Sequence, residues 1–229
     1  MTHCAVCGSE DLHYIPELTP ALIREWELSA NEAAYVNRQQ GLQCKRCGST
    51  LRCMTLATAL MRHLATAETP DTFAAFSETS AARAWRVLEI NEAGGISRFL
   101  STWPGHVFAR YPDVDMQDLP FPAGAFDLVV HSDTLEHVPD PVRGLKECRR
   151  VLRDGGACVF TVPIIVGRLT RSRNELPPSF HGDPAHGEGY LVHTEFGADA
   201  WSWPLRAGFA EVRIVSLEHP TAHALIAVR

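Results

Sequence analysis

No stretch of this 229-residue sequence approaches the ~18 consecutive apolar residues of a membrane-spanning helix. The opening run, MTHCAVCGSE, also lacks the charged-then-apolar order of a secretion signal. Both absences point to a cytoplasmic location with no membrane span. Basic charge is scarce too: 21 Lys and Arg face 27 Asp and Glu, a net charge of -6. Phosphate backbones attract cationic surfaces, so this balance argues against a life on nucleic acid. Seven cysteines in a reducing compartment stay unpaired, so cysteines that cluster there suggest a metal. The remaining composition, 45% hydrophobic and 21% charged, is that of a globular protein able to bury a core without disulfides.

Two Cys-x-x-Cys-Gly units stand out, Cys4 to Gly8 and Cys44 to Gly48. Two intervening residues let a tight turn aim both sulfurs at one ion, and the glycine supplies a positive φ that closes the turn. Together Cys4, Cys7, Cys44 and Cys47 offer the four thiolates of a structural zinc site. Between the units, Thr19 and Pro20 read as a helix cap and first helical residue. Ser29 and Glu32 have the spacing of a capping box. From 49 to 67 a third helix is expected, with Leu51, Met54, Leu56, Leu60, Met61 and Leu64 on one face. Residues 1–67 are therefore expected to form a zinc-knuckle and helical module, a scaffold or docking element. Residues 68–84, rich in Ser and Ala, read as a linker, and 85–229 as the main domain.

The main domain opens with an apolar run at 85–90, a Gly-containing turn at 91–95 and a helix-like segment at 96–100. Strand, turn and helix in that order place a ligand over a helix N-terminus. Further strands are expected near 106–111, 126–130, 157–162, 211–217 and 223–228. Helices are expected from Asp140 to about Leu152 and from about 197 to 207. A long connection before two strands joined by a tight turn predicts one reversed strand in a doubly wound sheet with 85–90 central. Only four residues, 112–115, separate the second strand from the acidic loop that follows, so the third strand is expected to be short or missing.

The motifs VLEI at 87–90, DLPFP at 118–122, FDLVVHSDTLEHVPDP at 126–141 and RRVLRDGG at 149–156 occur in order over roughly 140 residues. This arrangement resembles the class I S-adenosylmethionine-dependent methyltransferases, the type 11 small-molecule group in particular. The knuckles together with Phe180–Pro184 resemble bacterial proteins that join such a domain to a zinc-knuckle N-terminus. The resemblance implies an α/β, Rossmann-like sheet with helices on both faces. It also implies S-adenosylmethionine as cofactor, with zinc as a structural ion. By the same resemblance Glu89 would hold the amino group or a water near the methionine part of the cofactor. Asn91, Ala93 and Gly95 would form the turn beneath it. The usual turn has three glycines, and here two are replaced. Asn91 tolerates a left-handed φ; Ala93 does so only at a cost, unless Gly94 takes over that conformation. The acidic residue that normally grips the ribose is also replaced, by Arg110 or Tyr111, with Asp113 slightly beyond. Asp115 and Met116 match the pair that addresses adenine, and Ser132 and Asp133 lie at the carboxyl edge where ligands bind.

Methyl transfer from a sulfonium depends mostly on alignment, with a base assisting an oxygen nucleophile. His137 is the first candidate base, with Asp133 and Glu136 beside it; a histidine that merely props the loop is the alternative. The segment 164–197 reads as a substrate lid with His181 or His193 as a substitute base. His181, Asp183, His186, His193 and Glu195 follow no metal-binding spacing. Arg168, Arg171 and Arg173 are expected either to hold a phosphate or carboxylate or to lie in a solvated loop. The partner implied is a small-molecule acceptor, possibly a sugar in chemical class, whose identity is not legible; nor is the oligomeric state. A non-catalytic relative serving as a binding subunit and an RNA methyltransferase remain the alternatives.

Overall fold

The computed structural model describes residues 1–65, 69–181 and 190–229. The chain begins with β1 (Leu12–Tyr14), α1 (Pro20–Glu25), α2 (Ala30–Gly41), β2 (Leu42–Cys44) and α3 (Leu51–His63). Local chemistry explains these starts. The Thr19 hydroxyl accepts from the Leu22 amide, and Ser29 and Glu32 form a reciprocal capping box. Thr50 caps α3. Strands β1 and β2 pair antiparallel between the two knuckles.

Two short helices follow, α4 (Phe73–Ser77) and α5 (Ser80–Arg83), and then the sheet begins. Its members are β3 (Arg86–Ile90), β4 (Gly105–Ala109) after the short α6 (Ser97–Leu100), β5 (Phe126–Ser132) and, after α7 (Pro141–Val151), β6 (Leu152–Thr161). The connection 164–197 contains β7 (Ile164–Ile165), β8 (Arg171–Ser172), β9 (Phe180–His181), β10 (Tyr190–Leu191) and β11 (Thr194–Gly197). Then come α8 (Ser202–Arg206), β12 (Glu211–Leu217) and β13 (Ala222–Val228).

Six strands form the main sheet in the order β12-β13-β6-β5-β3-β4. Strands β4, β3, β5 and β6 run parallel, and β13 is antiparallel to both its neighbours. The reversed strand expected near the end is thus β13. No described residue between β4 and β5 adds a strand, as the short spacing predicts. That leaves β4 at the edge, so β3 is flanked on both sides without being central; β5 and β6 hold that position. The Arg153–Gly156 stretch, which the sequence pattern marks as the close of α7, lies inside β6 instead. There the register against β5 shifts, from Phe126–Leu152 to Leu128–Ala157, with Gly155 at φ +72, so three extra residues of β6 are absorbed in an irregular bulge.

Each sheet face is covered. Leu88, Val129, Cys158 and Phe160 pack with Leu145, Cys148 and Val151 of α7 on one side. On the other, Val87, Leu128, Val130, Val159, Ala224 and Ile226 pack with Met54, Leu56, Leu60 and Leu64 from α3 and the residue after it. The helix expected to belong to a separate module is therefore a face helix of the main sheet. The expected linker differs likewise. Phe73 and Phe76 are buried in that same cluster; Phe73 stacks on Trp103 and meets Phe99 edge-on, and Phe76 meets Trp103 edge-on. A boundary at 67 crosses one continuous core, because the apolar face of α3 is buried against the main sheet.

Candidate functional site

The two knuckles have matching geometry. The amides of Gly8 and Gly48 donate to the carbonyls of Cys4 and Cys44 at 2.8 and 2.7 Å. Both glycines adopt the positive φ that the sequence requires, +77 and +73. The antiparallel pairing of β1 with β2 brings the turns together, so that the four Sγ atoms lie within 4.8 Å of one another. Cys4–Cys47 and Cys7–Cys44 sulfur separations are both 3.6 Å. A tetrahedral ion with ~2.3 Å bonds to sulfur needs separations of about 3.8 Å, so the donor set fits zinc. Burial pushes the Cys4 and Cys7 thiols up, as expected for sulfurs whose thiolates need a cation beside them.

The second knuckle leans on the turn after β3. A side-chain carbon added at Gly95 would lie 2.4 Å from the Ser49 Oγ, and one at Gly94 would lie 2.4 Å from the Cys53 Sγ. The glycines of this turn therefore make room for α3 and the knuckle, a role that spacing alone does not reveal. Gly94 takes the left-handed conformation, φ +62, and Asn91 a second, φ +53. Ala93 stays at φ -76, so its Cβ is unstrained. The Asn91 side chain holds the turn: its Oδ1 accepts from the Tyr111 amide at 3.1 Å and its Nδ2 donates to Thr134 at 3.4 Å. Glu89 is fully buried. One carboxylate oxygen accepts from the Ala93 amide at 2.8 Å, and the other meets His106 Nε2 at 2.7 Å. Its geometry is that of a strut under the turn.

Asp115 is exposed and accepts from the Gln117 amide at 2.8 Å. The Met116 side chain is buried against Val138 and Gly144 of α7. Arg110, Tyr111 and Asp113 are exposed beyond β4. Ser132 is buried and bonded to the Thr161 hydroxyl at 2.8 Å, tying β5 to β6.

Past β5 the chain turns through Asp133, a non-glycine residue at φ +45. Its carboxylate pairs with Arg52 of α3 and accepts from Gln40 Nε2 at 3.1 Å. Glu136 is buried, and neither carboxylate oxygen has a hydrogen-bond partner among the described residues. Burial raises its pKa to about 8. His137 follows. Its Nδ1 lies 3.1 Å from the Leu191 carbonyl, which only accepts, so the proton belongs on Nδ1 and the lone pair on Nε2. Burial lowers its pKa against a smaller opposing effect of that carbonyl, so the ring is neutral near pH 7.

The 164–197 connection is built differently from a solvated loop. Arg168 pairs with Glu32 at 2.9 Å, and Arg171 pairs with Glu27 at 3.0 Å and Glu195 at 2.6 Å. Arg173 is buried against Glu195 and lies over the Trp26 ring at 5.7 Å. The three arginines are engaged by carboxylates of this chain, which corrects both expected roles. His193 donates its amide to the Glu136 carbonyl at 2.8 Å, and Glu195 is a buried ion-pair partner. Asp183, His186 and the side chain of His181 lie outside the described residues.

A cleft of about 240 Å³ opens between β7, β12 and β13, lined chiefly by Ile164, Val166, Trp201, Ile214 and Leu225. His219 and His223 form its polar wall, 3.2 Å apart. Burial, then the neighbouring histidine, lowers His223 to about 4. By register His223 lies opposite Ser216 of β12.

A parallel sheet with one reversed strand near its edge, a left-handed turn after its first strand and functional groups at its carboxyl edge defines a nucleotide-type α/β domain. Residues 75–160 match the family described as "Methyltransferase domain". Among curated relatives, "2-methyl-6-phytyl-1,4-hydroquinone methyltransferase 2, chloroplastic" of Oryza sativa subsp. japonica is 34% identical over 110 residues, 44% of this chain and 25% of that protein. A "Probable S-adenosylmethionine-dependent methyltransferase" of Mycobacterium tuberculosis is 33% identical over 120 residues, 50% of this chain and 39% of the relative. "Sarcosine/dimethylglycine N-methyltransferase" of Halorhodospira halochloris is 46% identical over 52 residues, 23% of this chain and 19% of the relative. The matches span no more than 39% of the length of these three relatives.

Proposed function

We propose that this protein binds S-adenosylmethionine at the carboxyl edge of β3 and β5 and transfers its methyl group to a small-molecule acceptor. The observation that carries this reading is the turn at 91–95. Its two left-handed positions are filled by Asn91 and Gly94 without strain at Ala93, within the segment that matches the methyltransferase domain. The bound cofactor supplies an activated methyl group on a sulfonium. Around it, the turn amides would face the methionine part, and the exposed Asp115 carboxylate would accept from the exocyclic amine of adenine. His137, neutral and protonated on Nδ1, would accept the acceptor's proton on Nε2 as the new bond to carbon forms and the sulfur–methyl bond breaks. We place the acceptor in the cleft between Trp201 and Leu225, where an apolar ring would be covered and a hydroxyl could meet the His219–His223 pair. The curated relatives include one named for a hydroquinone and one for sarcosine, and the cleft lining favours an apolar, hydroxyl-bearing acceptor over a zwitterionic one.

Titration calorimetry with S-adenosylhomocysteine tests the cofactor reading. Wild-type protein should bind, Asp115→Ala should bind roughly ten- to a hundredfold more weakly for the loss of one charged hydrogen bond, and the exposed Lys146→Ala should bind as wild type does. Glu218 would be a poor control, because it pairs with Arg38 at 2.5 Å and with the amino group of Met1. Absence of binding at millimolar ligand would favour a non-catalytic partner subunit, the reading to which the replaced glycines point.

We further propose that Cys4, Cys7, Cys44 and Cys47 hold one structural zinc ion. Metal analysis of purified protein should give about one zinc per chain, and Cys44→Ser should lose it. Metal-free wild-type protein with unchanged thermal stability would defeat this assignment.

A further inference from the structure

The knuckles and the turn after β3 share one apolar cluster, in which Cys4, Val6 and Cys44 are buried together with Ala93 and Ile96. Two separate lines of contact join them. In the first, the Cys44 amide donates to the Ser49 carbonyl at 3.0 Å, and the Cys47 sulfur lies 3.3 Å from the Ser49 hydroxyl. Ser49 is fully buried, and its Oγ fills the space into which a side chain on Gly95 would project. Thr50 extends this line by bonding to both the amide and the sulfur of Cys53, at 3.3 and 3.4 Å. That sulfur in turn fills the space beside Gly94. In the second line, the carbonyls of Ala5 and Val6 accept from the amides of Phe73 and Ala74 at 3.0 and 2.9 Å. Phe73 then meets Phe99 of α6, the helix into which the turn leads.

The turn does not set its own shape. Gly94 and Gly95 have no side chains to pack, and glycine gives up more conformational freedom on ordering than any other residue. A turn of this composition takes its conformation from whatever is pressed against it. On the sheet side that support is Glu89, through the Ala93 amide at 2.8 Å. On the other side it is Ser49 and Cys53, which follow directly from the second knuckle. Sites of this kind become ordered when the ion binds, so the placement of their ligands is tied to metal occupancy. With Cys47 held as a thiolate, the Ser49 hydroxyl becomes the donor between them, an outer contact of the sort that orients a ligand sulfur.

We infer, resting on the cofactor and zinc readings above, that the filled knuckle sets the cofactor turn, with Ser49 and Cys53 as positioning residues, so that zinc and cofactor each favour binding of the other. The knuckle is then more than a clamp on the N-terminal segment: its metal state is read at the cofactor site. Coupling between two binding sites is reciprocal, which supplies a test in each direction.

Calorimetry should show S-adenosylhomocysteine binding at least tenfold more weakly to metal-stripped protein that still melts cooperatively than to zinc-loaded protein. Saturating S-adenosylhomocysteine should raise zinc affinity, measured by competition with a chelator, by the same factor. Equal ligand affinity in the two forms, or an unchanged zinc affinity, would overturn the inference. A double-mutant cycle covers the case in which stripped protein unfolds. Gly95→Ala should weaken S-adenosylhomocysteine binding at least tenfold at unchanged zinc content, because the added carbon runs into the Ser49 Oγ. Combining it with Ser49→Ala removes that oxygen and should recover part of the loss. Full binding by Gly95→Ala, or a double variant no better than the single one, would show that Ser49 does not set the turn and would overturn the inference as well. Wild-type protein that binds no S-adenosylhomocysteine defeats the cofactor reading, and wild-type protein without zinc defeats the metal reading. Either takes the inference with it and is distinct from two filled sites that ignore each other.

Discussion

Two helical contacts in this molecule use opposite chemistry. Helix α3 lies on the main sheet through Met54, Leu56, Leu60 and Leu64, all buried. Helices α1 and α2 meet the 164–197 connection mostly through charge: Glu32 with Arg168, Glu27 with Arg171, and Glu25 with Arg173 at 3.7 Å. Only a small apolar cluster around Trp26, Ile165 and Val192 backs that second contact. Apolar burial is insensitive to pH and screened little by salt, whereas partly exposed ion pairs respond to both. The first contact holds the sheet and the knuckle in fixed register. The second covers the Glu136–His137 loop with a layer whose hold depends on solution conditions.

Breaking the first contact should have the larger effect. Leu60→Ala removes a fully buried side chain and should lower global stability by about 2–5 kcal/mol, read as a shifted urea midpoint with an unchanged slope. Breaking the second should cost less and act locally. Glu32→Gln leaves Arg168 without its charge partner and should cost about 1–3 kcal/mol at neutral pH. Hydrogen exchange should locate the loosening in 164–172 and α2, with β5 and β6 unaffected; uniform loosening would remove the distinction between the contacts. Arg168, through the hydrogen bond it donates, lowers the Glu32 pKa to about 2 from an ordinary value of 4.5. A depressed carboxylate stabilises the fold above its unfolded pKa and loses that contribution as pH falls through the folded one. The difference between wild type and Glu32→Gln should therefore shrink between about pH 4.5 and pH 2.

A separate effect, of opposite pH dependence, is expected at Glu136, beneath the layer. Burial raises its pKa from 4.5 to about 8, so the folded state holds a proton there that the unfolded state has released. Stability should fall as pH rises between those values and remain reduced above them. Glu136→Gln cannot titrate and should flatten that part of the melting-temperature profile, with little change at pH 4. An identical slope in wild type and variant would place the carboxyl group in solvent contact.

Local elements were legible where the signal is short-range. The capping box at Ser29 and Glu32, the cap at Thr19, the cysteine spacing and the apolar runs at 85–90 and 126–130 depend on neighbours a few residues away. The missing third strand was legible because chain length alone forbids it. The destination of α3 was not, since periodicity marks an apolar face without naming what covers it. The arginines at 168, 171 and 173 were misread for a similar reason: some of their carboxylates lie in α1, α2 and their flanks, about 140 residues earlier, and Glu195 lies in β11. At the candidate site, the left-handed Asn91 and the replacement of Ala93 by Gly94 in that conformation followed from residue chemistry. The close approach of Ser49 and Cys53 to Gly95 and Gly94 did not, because it depends on the packed position of a distant element.

The seat of α3 on β13 has a kinetic consequence. More than 150 residues of chain separate the helix from that strand. During synthesis, α3 emerges early with its apolar stripe exposed and waits for a surface made much later. Closing so long a loop slows folding more than it reduces final stability. In the interval that stripe is the segment most open to wrong partners. Full burial of that stripe awaits the residues of 222–228, which pack on it with strands made earlier, so that synthesis and assembly run in different orders.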